Sequence, residues 1–217
     1  MIAMNSQYHN INKLTLPECV VNIGLLGLQG AIDEHDAAIK NAGISLGLKI
    51  STTRVTLPEH LEGLNGIILP GGESTAMIKQ GTRSGLLQRL NEMLNQGFPA
   101  FGTCAGAILL SQRVRRNPES PLTEGAFPFL DIEILRNGYG TQRDSFSVSL
   151  EVKNFSERFE GIFIRAPIIS SYDPKIEVLS EVRGYAVLVR SSKIMVSTFH
   201  PELTSDTRIH QIFLESL

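Results

Sequence analysis

Cysteine is scarce in this chain: its 217 residues include two, Cys19 and Cys104. Two cysteines do not make the disulfide framework of a small secreted domain. A large excess of charge of one sign is absent as well. The formal net charge is −2, which removes the broad electrostatic case for nucleic acid or an anionic membrane surface as partner. No apolar run approaches the roughly 20 residues of a membrane span. The first residues are polar and lack the apolar region of a signal peptide. There is no internal repeat, and no linker rich enough in Pro, Gly or Ser marks a second domain. No Gly-Lys-Ser/Thr follows any glycine-rich turn, so there is no P-loop. The length suits one compact domain with a sizeable core. That domain is expected over residues 19–217, behind a loose extension over residues 1–18.

The apolar pattern is that of an α/β protein. Val20 to Leu28 is apolar and β-branched and reads as a first central strand. After the Gln29-Gly30 turn, Ile32, His35, Ala38, Ile39 and Ala42 recur at helical spacing, with Gly43 as a stop signal. Leu46 to Val55 is a second strand, Gly66 to Pro70 a third, Leu86 to Asn95 a helix, and Phe98 to Phe101 a further strand. This alternation indicates a parallel sheet covered on both faces. From Leu130 to Phe199 the pattern shifts to short strands, expected as antiparallel additions. Arg115 to Phe129 reads as a surface loop, and Thr204 to Leu214 as a closing helix capped by Thr204 or Ser205. Arg113, Arg115 and Arg116 read as a solvated basic face.

Three motifs sit at the carboxyl ends of these strands, where open α/β sheets bind ligands. The first is Gly102-Thr103-Cys104-Ala105-Gly106, between a buried strand and a buried helix. A cysteine with glycines two residues away on each side has the layout of a nucleophile elbow. Larger flanking side chains would collide with the strand and helix packed close by. A thiolate there gains from the helix N-terminus, and the Ala105 N–H would face the oxygen of a tetrahedral intermediate. The same residues also suit a buried structural cysteine at a glycine turn. The second motif, His200-Pro201-Glu202, follows the strand Ile194 to Phe199. A thiol nucleophile needs a base, and the base needs an orienting acceptor. In an extended segment residues two apart share a side, so Glu202 would reach the ring nitrogen of His200 turned away from Cys104. The third, Gly71-Gly72-Glu73-Ser74, has backbone freedom to expose N–H groups. Gly72 would then be the second oxyanion donor, and Ser74 a cap for the next helix. A reducing, cytoplasmic setting suits a thiol nucleophile.

Gly-Xaa-Cys-Xaa-Gly followed by His-Pro-Glu resembles the signature of the class I (triad) glutamine amidotransferases. Other segments are similar to the glutaminase subunits of pyridoxal 5′-phosphate synthases. They include Gly27-Leu28-Gln29-Gly30 with Glu34-His35, Leu69 to Thr75, Arg136 to Phe146, Phe163 to Pro167, and Thr198 to Thr204 with Asp206, Arg208 and His210 trailing. The resemblance runs from about Asn22 to Leu214, with mild departures at Gly138, Tyr139 and Thr141. It implies a three-layer α/β/α, flavodoxin-like fold with a mostly parallel sheet. It implies hydrolysis of L-glutamine to glutamate and ammonia, with Cys104 as nucleophile, His200 as base and acid, and Glu202 as orienter. It places Gly72, Glu73, Ser74, Arg136, Ile164 and Arg165 around the glutamine, with Arg136 and Arg165 matched to its α-carboxylate. It implies a barrel-type synthase subunit as partner, and neither a metal nor a cofactor. The rival readings are the glutaminase of imidazole glycerol phosphate synthase, a γ-glutamyl hydrolase, and a cysteine redox-sensing module without enzymatic activity.

Overall fold

The computed structural model describes residues 20–136, 138 and 145–217. The extension expected over 1–18, Cys19, and most of the Asn137–Asp144 stretch lie outside the described residues. The described elements follow in chain order. They are β1 (Val20–Leu26), α1 (Ile32–Ser45), β2 (Lys49–Val55), β3 (Gly66–Leu69), α2 (Ser74–Arg83), α3 (Leu86–Asn95), β4 (Ala100–Thr103) and α4 (Ala105–Leu110). Next come β5 (Ser111–Arg115), β6 (Thr123–Glu124), β7 (Leu130–Leu135), β8 (Ser145–Leu150), β9 (Phe159–Ile164) and β10 (Ile168–Tyr172). The chain closes with β11 (Glu177–Val182), β12 (Tyr185–Ser191), β13 (Ile194–Ser197) and α5 (Arg208–Leu214).

The central sheet has the order β11-β12-β13-β4-β3-β1-β2. The run from β13 to β2 is parallel, and β12 and β11 extend it antiparallel. Every residue of β3, β4 and β13 is buried, as expected of central strands packed on both faces. Their side chains alternate between two cores. Ile67, Leu69, Ala100 and Val196 join Leu86, Leu90 and Leu94 of α3 and Ala105 and Leu109 of α4. Ile68, Phe101 and Met195 join Ile39 of α1, Ile209 and Phe213 of α5, and Phe159 and Phe163 of β9. The period of two thus builds three layers from one run of apolar residues. Two smaller sheets accompany the central one, β10-β7-β5-β6 and the hairpin β8-β9.

Several boundaries differ from the sequence expectation. The helix α1 runs through Gly43 to Ser45, because Gly43 meets β2 closely: a Cβ there would lie 2.2 Å from Ile50. The chain then turns at Gly47 (φ +69°), so the second strand begins at Lys49 and not Leu46. The final helix begins at Arg208, not Thr204. Thr204 spends its hydroxyl within the preceding turn, on Pro201 and Asp206, and Asp206 accepts the Arg208 backbone N–H at 3.0 Å. The segment from Arg115 to Phe129 is more than a loop. It contributes β6, paired with β5, and buries Phe127 completely. Ser74 is the first residue of α2, with Glu73 in the capping position and no side-chain cap. Arg113 and Arg115 are not free surface charges, since they pair with Asp131 and Glu133 on β7.

The elbow glycines are fixed by space. A Cβ on Gly106 would lie 1.9 Å from the Leu69 carbonyl oxygen, and one on Gly102 would lie 2.6 Å from the Gly106 backbone. Neither neighbour is a flexible side-chain end. We expect Gly106→Ala to cost about 2–3 kcal/mol, the upper part of the overpacking range, and to lower Tm by roughly 5–10 °C for a chain of this size. Thermal denaturation followed by circular dichroism checks this. A variant that melts with the wild type would show that the β3–α4 contact relaxes without cost.

Candidate active site

The three motifs are brought together by strand order. The strands β3, β4 and β13 are neighbours, with Leu69 opposite Gly102 and Ser197 opposite Thr103. The strand β4 ends at Thr103, one residue before Cys104, and β3 and β13 end two and three residues before Gly71 and His200, so the motifs emerge side by side. The Cys104 backbone N–H donates to the Ser197 carbonyl at 2.9 Å, and the His200 N–H donates to the Ile162 carbonyl at 2.8 Å. Cys104 itself has φ +48° and ψ −100°, a conformation that side-chain sterics penalise. The turn aims its sulfur at the cleft, 4.0 Å from the Ile164 carbonyl oxygen.

His200 is 9% exposed and Glu202 5%. The His200 Nδ1–H donates to Glu202 Oε1 at 2.8 Å, leaving Nε2 for the sulfur. The contact arises differently from the sequence argument. Pro201–Leu203 is a single 3₁₀ turn, not an extended stretch, and the turn folds the carboxylate back onto the ring. Burial would push the His200 imidazole down. Its hydrogen bonds to Cys104 and Glu202, and the negative charge of both, raise it instead to about 10. Burial likewise pushes Glu202 up, but His35 and His200 beside it hold the carboxyl below its ordinary range.

A cleft of about 470 Å³ opens over Cys104. Its walls include Gly72 and Glu73 from the β3–α2 turn, Ser74 at the start of α2, Ala105 after the cysteine, Arg136 after β7, Ile164 at the end of β9 and Arg165 just beyond it. His200 reaches the cleft and Glu202 stands behind it. Every candidate catalytic, oxyanion and glutamine-binding residue named from the sequence is therefore at the cleft or one side chain from it. Arg165 Nη2 pairs with Glu73 across the mouth at 2.9 Å, and Arg136 Nη1 donates to Thr75 at 3.4 Å. Thr75, Ile108 and Arg116 also line the cleft. The sequence reading missed these. It left Arg116 on a solvated face, and the basic triplet was the signal available. Gly71 is required by space: a Cβ there would sit 2.6 Å from His200 Cε1. Gly72 has φ +154°, a region few side chains enter.

Two polar residues from outside the motifs complete the surroundings. His35 on α1 and His210 on α5 are both fully buried and lie behind Glu202. His35 faces inward from α1. Among the described residues no group of His, Cys, Asp or Glu is arranged to hold a metal ion. No helix among them is long and apolar enough to cross a membrane.

Residues 25–217 match the SNO glutamine amidotransferase family. The chain is 45% identical over 194 residues to the pyridoxal 5′-phosphate synthase subunit PdxT of Ignicoccus hospitalis, covering 89% of this chain and 98% of that protein. It is 42% identical to the subunit of the same name from Thermosipho africanus, over 89% and 97% of the two chains. For the one from Pyrococcus furiosus the identity is 40%, over 91% of this chain and the whole of that protein. A crystal structure of a glutamine amidotransferase superposes with a TM-score of 0.75 at 41% identity, covering 89% of this chain and 97% of the other. The PurLQS structure from Thermotoga maritima superposes at 0.62 with 16% identity, over 91% and 98%, a likeness of fold alone. The strand-end cysteine, its histidine and the carboxylate behind it thus lie on the scaffold of a known family, and the chain belongs to the SNO glutamine amidotransferases.

Proposed function

We propose that this protein is the glutaminase subunit of a pyridoxal 5′-phosphate synthase. It hydrolyses L-glutamine to glutamate and ammonia and hands the ammonia to a barrel-type synthase subunit in the cytoplasm. The observation that carries the reading is one imidazole, His200, hydrogen-bonded to Cys104 on one side and to buried Glu202 on the other, at the floor of a cleft lined with arginines. A redox sensor has no need of a carboxylate behind a base. The family match over residues 25–217 and the pyridoxal-synthase relatives favour this subunit over the imidazole glycerol phosphate or γ-glutamyl enzymes.

The chemistry follows from the atoms present. The sulfur of Cys104, its proton held by His200, attacks the side-chain amide carbon. The oxyanion takes hydrogen bonds from the Gly72 and Ala105 N–H groups, each worth about 3 kcal/mol to the transition state. The Ala105 N–H, at the start of α4, has no partner within its own helix. The Gly71 carbonyl packs toward Gly30, whose Cβ would lie 1.7 Å from it. Across a trans peptide the Gly72 N–H is therefore turned away from Gly30. His200 then protonates the departing ammonia, and water attacking the thioester releases glutamate, with His200 again as base. At the other end of the substrate, Arg136 and Arg165 meet the α-carboxylate, and Glu73 is free to meet the α-ammonium once glutamine replaces its bond to Arg165. A guanidinium fork suits a carboxylate. Gly72, Ser74 and Ile164 shape the walls between.

Cys104→Ser should lower glutaminase turnover by at least about 10³-fold while binding to the synthase subunit survives, because a hydroxyl is not activated comparably by the same histidine. Turnover near wild type would remove Cys104 as nucleophile. Arg136→Ala and Arg165→Ala should each raise KM for glutamine by roughly tenfold or more with kcat little changed, the pattern of contacts made equally in ground and transition states. A loss confined to kcat would assign these arginines to activation instead.

The charge on His200 gives a pH test. Its pKa is raised above the ordinary 6.5 to about 10. The stabilisation from its ion pairs is therefore complete below pH 6.5 and lost as pH rises through about 10. An NMR titration of the His200 ring should show that high midpoint, and Cys104→Ala should lower it by removing the sulfur partner. An unchanged midpoint in Cys104→Ala would mean the pair is not formed. Free ammonia is mostly protonated at neutral pH, so an enzyme of this kind should be slow alone and accelerate when the synthase subunit docks. Gly72→Ala should blunt that acceleration while binding persists. Equal turnover with and without the partner would dispose of activation.

A further inference from the structure

The triad ends at Glu202 in the reading above, but the buried polar chain does not. His35 Nε2 lies 3.5 Å from Glu202 Oε2 and 3.1 Å from Thr103 Oγ1. His35 Nδ1 lies 3.1 Å from His210 Nε2. Both histidines are fully buried, and His35 interrupts an otherwise apolar face of α1 formed by Ile32, Ala38, Ile39 and Ala42. Two imidazoles in the core of a family that needs three catalytic side chains require a reason.

Proton counting gives one. Burial lowers the pKa of both rings, His210 to about 3, so both are neutral and each carries one N–H. The short contact between them admits two arrangements. If His35 donated from Nδ1, its bare Nε2 would face the Glu202 carboxylate, lone pair against lone pair. The proton of His210 would then sit on Nδ1, which has no hydrogen-bond partner among the described residues. If His210 donates from Nε2, its Nδ1 is only an unused acceptor. His35 then carries its proton on Nε2, hydrogen-bonded to Thr103 Oγ1 at 3.1 Å with Glu202 Oε2 beside it at 3.5 Å. The second arrangement leaves no buried N–H orphaned and sets no lone pair against the carboxylate. Glu202 Oε2 makes no hydrogen bond among the described residues, and His35 Nε2 stands 3.5 Å from it.

We infer that His35, locked in its Nε2–H tautomer by His210, is a positioning residue for glutamine hydrolysis that steadies the second oxygen of Glu202 and through it the ring of His200. The inference rests on the glutaminase reading above. A neutral donor suits the task. It favours the carboxylate over the acid without cancelling the charge that holds the His200 imidazolium. A cation in the same place would compete for that charge. The titratable groups that face His35 are Glu202 and His200 from the segment after β13, His210 from α5 and Glu34 from its own helix. Thr103 is the polar group that meets it from β4.

The test uses His35→Leu and His35→Gln, assayed with the pyridoxal phosphate synthase barrel subunit present. Glutamine keeps the geometry of the lost ring, since its Nε2–H₂ can donate to Glu202 while its Oε1 accepts from His210. His35→Leu should lower kcat by about 10–100-fold, the usual size of an effect transmitted through an orienting partner, with KM within about threefold. The alkaline limb of its kcat/KM profile should move to lower pH, because a loosened Glu202 supports the imidazolium less. His35→Gln should restore kcat to within about fivefold and return the limb. Equal losses in the two variants, or a leucine variant with wild-type kcat, would overturn the inference. If His35→Leu does not fold, ¹⁵N NMR of wild-type protein still decides. His35 should be protonated on Nε2 and bare on Nδ1, and the opposite tautomer would overturn it. Wild-type complex that does not hydrolyse glutamine would strike the glutaminase reading instead, before any variant is compared.

Discussion

The hydrogen bond from the Cys104 amide to the Ser197 carbonyl, 2.9 Å long, continues the β4–β13 ladder into the active site. It ties the nucleophile's turn to the strand that delivers the base. Ser197↔Thr103 is the final register pair of that ladder, and a slip of one residue would turn every side chain of β13 to the opposite face. Ile194, Met195 and Val196 each belong to a defined core, so such a slip would expose one apolar set and bury the wrong one. The hydrophobic alternation of three short strands therefore fixes where Cys104 and His200 stand. Nothing at the site has to hold the two motifs together by itself.

A buried carboxylate is the next constraint. Glu202 is 5% exposed, and an unpaired charge at that depth would be costly. Its charge is kept because His200 donates to one oxygen and His35 stands by the other. The dependence is mutual. His200 holds its proton because it is hydrogen-bonded to Cys104 and Glu202, with the charge of the carboxylate beside it, while the deeper rings of His35 and His210 stay neutral because burial outweighs the pull of Glu202. One depth gradient thus sorts three histidines into a cation at the cleft and two neutral donors behind it.

The elbow was legible because its physics is local. Two glycines at fixed offsets are demanded because a Cβ on either would lie 1.9 or 2.6 Å from backbone atoms, and no other residue type serves. The parallel sheet was legible because its central strands are apolar on both faces. What escaped was set by the path of the chain between elements. The conformation of Pro201–Leu203 could not be told from residue spacing, since extended and 3₁₀ backbones both bring Glu202 near His200. Arg116 looked like surface because the course of the segment after β5 was unknown. His35 is the instructive case. A polar residue on the apolar stripe of α1 was visible in the sequence, but its partner His210 lies on the last helix, and only packing of α1 on α5 joins them.

Strain marks the same region. Among the described residues five non-glycine positions have positive φ, and two of them, Cys104 (φ +48°) and Arg165 (φ +46°), face the cleft. Such conformations cost about 1–3 kcal/mol each and persist only where neighbours over-determine them. Cys104 is held by the Ser197 carbonyl on one side and by Ile108, which donates to its own carbonyl, on the other. Arg165 follows β9 directly, and its side chain is held by an exposed ion pair with Glu73. Exposed pairs of this kind are weak. The nucleophile is therefore rigidly strained and the arginine loosely so, which suits their parts. Attack needs a sulfur that does not move, whereas a residue that must exchange Glu73 for a substrate carboxylate needs a bond that gives way easily.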